Sequence, residues 1–189
     1  IYTMKKSLLL LLFIPHIMNA QFSLTKDGFV STEDTSKNFV VYNIDDTSKE
    51  KLYANVLKYL TTTYKSAKDV LSKVDNEVIT INAMQPKYIN AKTLKYDIRY
   101  TLTIHFKDGR IKIDAPEFEC TTRAYNKPYR LAMSGSNAGL GSEVVNGLFK
   151  KDGEPGLKKT VIEIENFFNT LSTNIAEAAE GNTNSNDDW

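Results

Sequence analysis

The chain has 189 residues, 24 basic and 23 acidic side chains, and a net charge of +1. That is long enough for one domain with its own core, and too evenly charged to steer a polyanion by its overall field. Its one cysteine, Cys120, excludes an internal disulfide and any metal cluster built from several thiolates.

Met4, Lys5 and Lys6 form a basic start, Leu8 to Ile14 an unbroken apolar run, and Pro15 to Ala20 a small-residue exit. This is the layout of a secretory signal over residues 1–20, with an apolar core too short to span a bilayer. The reading sends the protein out of the cytoplasm, to a periplasmic or extracellular location. Removing the first 20 of 189 residues leaves 169, with 22 basic side chains against 23 acidic and a net charge of −1. After that removal the sequence carries no integral membrane segment, and nucleic acid is not an expected partner. His105 is then the one remaining histidine, which excludes a histidine-rich metal site.

Residues 21–36 are polar and mixed, and read as a leader preceding the domain. Phe39 to Tyr42 is a short run of β-branched and aromatic residues and predicts a strand, stopped by Asp45 and Asp46. Thr47-Ser48-Lys49-Glu50 has the spacing of a capping box. Tyr53, Val56, Leu57, Leu60 and Tyr64 then recur at helical intervals, predicting one apolar helix face. Strands are expected over Asp69–Val74 and Glu77–Ala83, with a turn at Asp75-Asn76. Gln85 to Ala91 contains Pro86 and reads as a loop.

The clearest pattern follows. Leu94, Tyr96, Ile98, Tyr100, Leu102, Ile104 and Phe106 alternate with Lys95, Asp97, Arg99, Thr101, Thr103 and His105. A period of two over this length predicts a strand with one dry face and one wet face. Asp108-Gly109 supplies a hairpin turn, placing Lys107 opposite Arg110, Phe106 opposite Ile111, Ile104 opposite Ile113 and Leu102 opposite Ala115. The apolar positions of the two strands then coincide, which supports the register. Burying four large members of the set contributes about 6–12 kcal/mol before conformational entropy is charged.

Residues 121–156 are glycine-rich and read as a connector, in which Ser142 to Phe149 makes a short helix or strand. From Leu157, the positions Val161, Ile164, Phe168, Leu171, Ile175 and Ala178 follow a four-three spacing, widened by Ile162 and Phe167. This predicts a helix over 157–178 packed on the protein's own sheet, ended by Gly181. Residues 179–189 are expected as a tail.

The expected fold class is therefore α+β: a single antiparallel sheet of about five strands with two helices on one face. The domain runs over 37–178, with its core at 37–118. In this order of elements, β-α-β-β-β-β-α, the chain resembles a family of uncharacterised secreted Bacteroidetes proteins with a TATA-binding-protein-like fold. The resemblance is carried by the Phe39–Tyr42 strand, the Leu52–Tyr64 helix, Asp69 to Asn82, and the long strand closing on Phe106-Lys107-Asp108-Gly109-Arg110. It implies that fold and assigns no catalytic or ligand residue. DNA binding does not follow from the fold name.

No catalytic constellation emerges from the residues, and neither metal nor cofactor is expected. Asp45-Asp46 and Asp152-Gly153-Glu154 lack the spaced oxygens that calcium needs. Ser134-Gly135-Ser136 and Gly139-Leu140-Gly141-Ser142 depart from nucleophile-elbow and phosphate-loop patterns. Glu163, Glu165, Glu177 and Glu180 read as the solvated side of the late helix. Cys120 reads as a buried small hydrophobe.

The candidate interaction face is the wet side of the hairpin: Lys95, Asp97, Arg99, His105, Arg110, Lys112 and Asp114. The function expected is a secreted, non-enzymatic binding or structural module of the cell envelope, with a protein or peptide of the envelope as partner. The alternatives are an envelope-acting hydrolase and self-association through the 157–178 stripe.

Overall fold

The computed structural model describes residues 21–134 and 143–181. The signal expected at 1–20, the motif residues Gly135, Ser136, Gly139, Leu140, Gly141 and Ser142, and the tail from Asn182 lie outside the described residues. The chain runs through β1 (Phe22–Thr25), β2 (Gly28–Ser31), β3 (Phe39–Asn43), α1 (Lys49–Thr63), a single-turn α2 (Ala67–Val70) and β4 (Leu71–Val74). It continues with β5 (Val78–Ala91), β6 (Leu94–Lys107), β7 (Arg110–Asp114), β8 (Glu117–Ala124), β9 (Lys127–Ser134), β10 (Val144–Phe149) and α3 (Lys158–Glu180).

The single five-stranded antiparallel sheet with two helices is thereby corrected. Among the described residues there is one eight-stranded sheet, made of β3 to β10, a separate two-stranded sheet of β1 and β2, and three helices. The large sheet is mixed, because β10 runs parallel to β9. The additional strands come from segments without regular alternation, where tertiary pairing rather than local pattern decides the conformation. Residues expected as a polar leader form the β1–β2 hairpin. Much of the expected connector forms β8, β9 and β10, with Tyr125 and Asn126 both at positive φ (51° and 59°) in the tight β8–β9 turn. The Gln85–Ala91 loop is instead a continuation of β5 past an irregularity between Gln85 and Ile89.

The sheet is organised around β6. Leu94 to His105 runs along β5 on one edge, while two strands share the other: Ile104–Lys107 with β7, Asp97–Thr101 with β8. Pro116, which has no amide hydrogen to donate, sits where β7 gives way to β8. Beyond β7 lies β3, and beyond β8 lie β9 and β10, so the sheet divides into two wings. The β6–β7 register is the one the alternation predicts for Lys107, Phe106 and Ile104. Leu102 does not reach Ala115, whose amide donates instead to the Asn38 carbonyl at 2.8 Å.

All the even positions from Tyr96 to Phe106 are buried, and β6 thereby acquires a roof. Helix α1 contributes Leu52, Tyr53, Val56 and Leu60, and α3 contributes Val161, Ile164, Phe168 and Ile175. Phe168 has ring contacts with Phe29 of β2, Tyr100 of β6, Phe118 of β8 and its neighbour Phe167, at 5.0–5.7 Å between centroids. These edge-on and tilted aromatic pairs tie three parts of the chain together.

Helix α1 begins one residue later than the capping box places it. Ser48 is its N-cap, its hydroxyl accepting from Lys51 N–H at 3.4 Å, and the Asp108 carboxylate accepts from Lys49 N–H at 2.8 Å. The β6–β7 turn therefore supplies an anion to the positive end of the helix. Gly109, at φ 71°, permits that turn and donates to the Thr47 carbonyl at 2.9 Å.

Two glutamates expected on a solvated helix face have structural work instead. Glu165 accepts from Leu24 N–H (2.7 Å) and Ser23 Oγ (3.1 Å), and Asn169 both accepts from Phe22 N–H and donates to the Phe22 carbonyl. Glu163 accepts from the backbone and side chain of Asn90. The polar stripe of α3 thus takes the place of a neighbouring strand for β1.

Truncating Phe168→Ala is expected to destabilise the fold by about 3–5 kcal/mol. Ile162→Ala, on the exposed side of the same helix, is expected to change stability by less than about 0.5 kcal/mol. Urea denaturation of the two variants measures the contrast.

Candidate functional site

Burial of the even positions of β6 turns its odd positions outward, onto a sheet face that none of the helices covers. At the β3–β7–β6 wing this face holds an open recess of about 490 Å³ lined by Val41, His105, Lys107, Arg110 and Lys112. Register explains the grouping. Lys112 of β7 lies between Val41 of β3 and His105 of β6, and Arg110 is paired with Lys107 at the hairpin end.

The charges inside this recess are unevenly satisfied. Asp114 takes the Lys112 ammonium at 2.7 Å on one oxygen and His105 Nε2 at 2.6 Å on the other. Lys112 also stands 5.3 Å from the centroid of the Phe39 ring, within cation–π range. Partial burial raises the Asp114 carboxyl, but hydrogen bonds from Lys112 and His105 outweigh it, and the net shift is below the ordinary value of 3.8. Among the described residues, Lys107 and Arg110 have no ion-pair partner. The recess therefore holds two cations, Lys107 and Arg110, beyond the one that Asp114 neutralises.

The sequence-predicted face is not one site. His105, Arg110, Lys112 and Asp114 come together at the recess, whereas Lys95, Asp97 and Arg99 occupy the other end of β6. His105 lies six positions after Arg99, about 20 Å along a strand. Asp97 is already engaged, accepting from Lys87 N–H at 2.8 Å and facing the Lys87 ammonium at 3.6 Å. Lys95 lies opposite Asn90, and Arg99 between Met84 and Glu119. Sequence reasoning missed Lys107 and Val41 as lining residues. Lys107 was accessible to it, since it shares the parity of His105 and faces Arg110. Val41 was not, because the β3–β7 pairing joins segments about seventy residues apart.

Other candidates have structural roles. Cys120 lies in β8 on the roofed face, and burial pushes its thiol up to about 12, far from thiolate chemistry at neutral pH. Asp152 accepts from Glu154 N–H at 3.0 Å within a turn. Among the described residues no three His, Cys, Asp or Glu side chains are placed to hold a metal ion. Among them, too, no helix is long and apolar enough to cross a membrane.

A sheet roofed by helices on one side and bare on the other is the architecture of TATA-binding-protein-like domains. Residues 39–121 match the family model described as a domain of unknown function (DUF4468) with TBP-like fold. That segment matches the family which the hairpin and first helix resemble, and the whole recess lies within it. A TBP-like protein from Parabacteroides distasonis is similar in structure, with a TM-score of 0.53 and 20% identity over 75% of this chain and 90% of that one. A DUF4468 family protein from Bacteroides ovatus is similar at a TM-score of 0.53 and 16% identity, over 75% of this chain and 86% of that one. These likenesses concern the fold. No curated protein matches the chain.

The lowered Asp114 carboxyl gives a signed prediction. A depressed folded-state value stabilises the fold above 3.8 and ceases to do so as pH falls through and below that value. Asp114→Asn is expected to cost no more than about 1 kcal/mol at pH 7, since about a third of the carboxylate remains in water and is screened. The difference from the parent should shrink as pH falls from 5 to 3 in urea-unfolding curves. A difference that grows with acidity would contradict the assignment.

Proposed function

We propose that this chain is an exported, non-enzymatic binding module of the cell envelope that engages a carboxylate-bearing protein or peptide through its open sheet face. The observation that carries the reading is the pair Lys107 and Arg110, two cations without an ion-pair partner among the described residues, at a recess on an unroofed sheet. Binding faces use such charges to select partners and set register, more than to supply raw affinity. The basic start and short apolar core over residues 1–20 support export. Use of the wet face fits the rest of the fold, because the apolar stripe of α3 is spent internally: Val161, Ile164, Phe168, Ile175 and Ala178 are all buried. Self-association through that stripe would expose the core.

Photo-crosslinking in the producing cell tests the reading. A crosslinking side chain at Thr103, on the open face, is expected to trap a partner in envelope fractions, and one at Lys68 on α2 is not. Reversing both free charges, Lys107→Glu with Arg110→Glu, should lower the Thr103 product at least tenfold. Equal trapping from both positions, or from a cytoplasmic fraction alone, would overturn it.

A further inference from the structure

The recess adjoins a strand whose far edge is vacant among the described residues. Within the sheet, β3 pairs with β7 and with no other described strand. Ala115 N–H donates to the Asn38 carbonyl at 2.8 Å and Ile44 N–H donates to the Gly109 carbonyl at 2.7 Å. In an antiparallel ladder the paired positions alternate, so the backbone groups of Asn38, Val40, Tyr42 and Ile44 turn toward β7. Those of Phe39, Val41 and Asn43 turn the other way.

The same three residues, by the strand period, place their side chains on the open face, and Val41 lines the recess. A strand laid along β3 would therefore present every second side chain beside Phe39, Val41 and Asn43. Such a side chain stands two strand spacings from β7, about 10 Å, a gap that the long side chains of Arg110 and Lys112 help to bridge. The chemistry waiting there is Val41 as an apolar wall and the cations Lys107, Arg110 and Lys112 against one carboxylate that is already doubly engaged.

Resting on the binding reading above, we infer that β3 accepts an extended acidic peptide segment as an added strand, with an aspartate or glutamate side chain of that segment seated in the Val41–Lys107–Arg110–Lys112 recess. Main-chain hydrogen bonds to Phe39, Val41 and Asn43 hold the segment, and the carboxylate fixes its register. This is recognition by strand addition, in which the backbone supplies affinity and alternate side chains supply specificity. Charge complementarity selects an acidic partner and disfavours a basic one.

The test is an amide-resolved NMR titration of the protein with an end-blocked six-residue peptide alternating valine and glutamate. Shifts and slowed amide exchange are expected at Phe39, Val41 and Asn43, with further shifts from Arg110 to Asp114. The matching valine–glutamine peptide should bind at least tenfold more weakly. Arg110→Gln, whose thermal unfolding checks that it stays folded, should erase most of that preference. A peptide N-methylated on every amide, so that neither edge can pair with β3, should not bind.

Equal binding of the glutamine peptide, unchanged preference in Arg110→Gln, or undiminished binding of the methylated peptide would each overturn the inference. Inorganic phosphate shifting the same amides as tightly as the peptide would assign the recess to free oxyanions and overturn it too. If no acidic peptide binds at millimolar concentration while Thr103 still traps a partner, strand addition fails and the open-face reading stands. If Thr103 traps nothing but the peptide binds as described, strand addition stands without the envelope partner.

Discussion

Everything in this molecule depends on the strict two-sidedness of β6. With Tyr96, Ile98, Tyr100, Leu102, Ile104 and Phe106 all buried, the strand cannot slip by one residue without moving its whole apolar set into water. That constraint fixes which side α1 and α3 cover, and it leaves the other side bare. Because β7 and β8 share one edge of β6, the same constraint reaches both wings. The position of every side chain at the recess is inherited from it.

The recess itself is an electrostatic remainder. Asp114 could neutralise any one cation near it, and it is divided between His105 and Lys112. Both partners sit across or beside it on the same face, so the ladder sets where their side chains start. Arg110 and Lys107 lie at the hairpin end, beyond reach of that carboxylate. A cation left in water loses little by being unpaired, and it remains available to an incoming anion. An incoming anion therefore competes with no described carboxylate for Arg110 or Lys107.

Much of this was legible in the sequence because it is local. Alternation along β6, the Asp108-Gly109 turn and the helical stripes of α1 and α3 are properties of neighbouring residues, and they place His105 opposite Lys112 correctly. What escaped is non-local. The β1–β2 hairpin looks polar because its buried residues, Phe22, Leu24 and Phe29, are few, and their partners lie on α3. Glu163 and Glu165 look like surface charges until β5 and β1 are set beside them. Strands β9 and β10 pair through a parallel ladder whose connecting segment carries glycines, serines and no alternation. The residues of the predicted interaction face share one side of the sheet but divide between two ends of β6, because parity along a strand says nothing of where neighbouring strands bring additional charge.

The clamp between β1 and α3 has a consequence for how the protein comes into being. Phe22 and Leu24 find their hydrogen-bond partners at Asn169 and Glu165, up to 147 positions further along the chain. On the ribosome those partners are made more than a hundred peptide bonds later, at about 5–20 residues per second. Until then the opening hairpin has neither its cap nor its aromatic neighbour Phe168. The docking of the first hairpin therefore waits for the last helix.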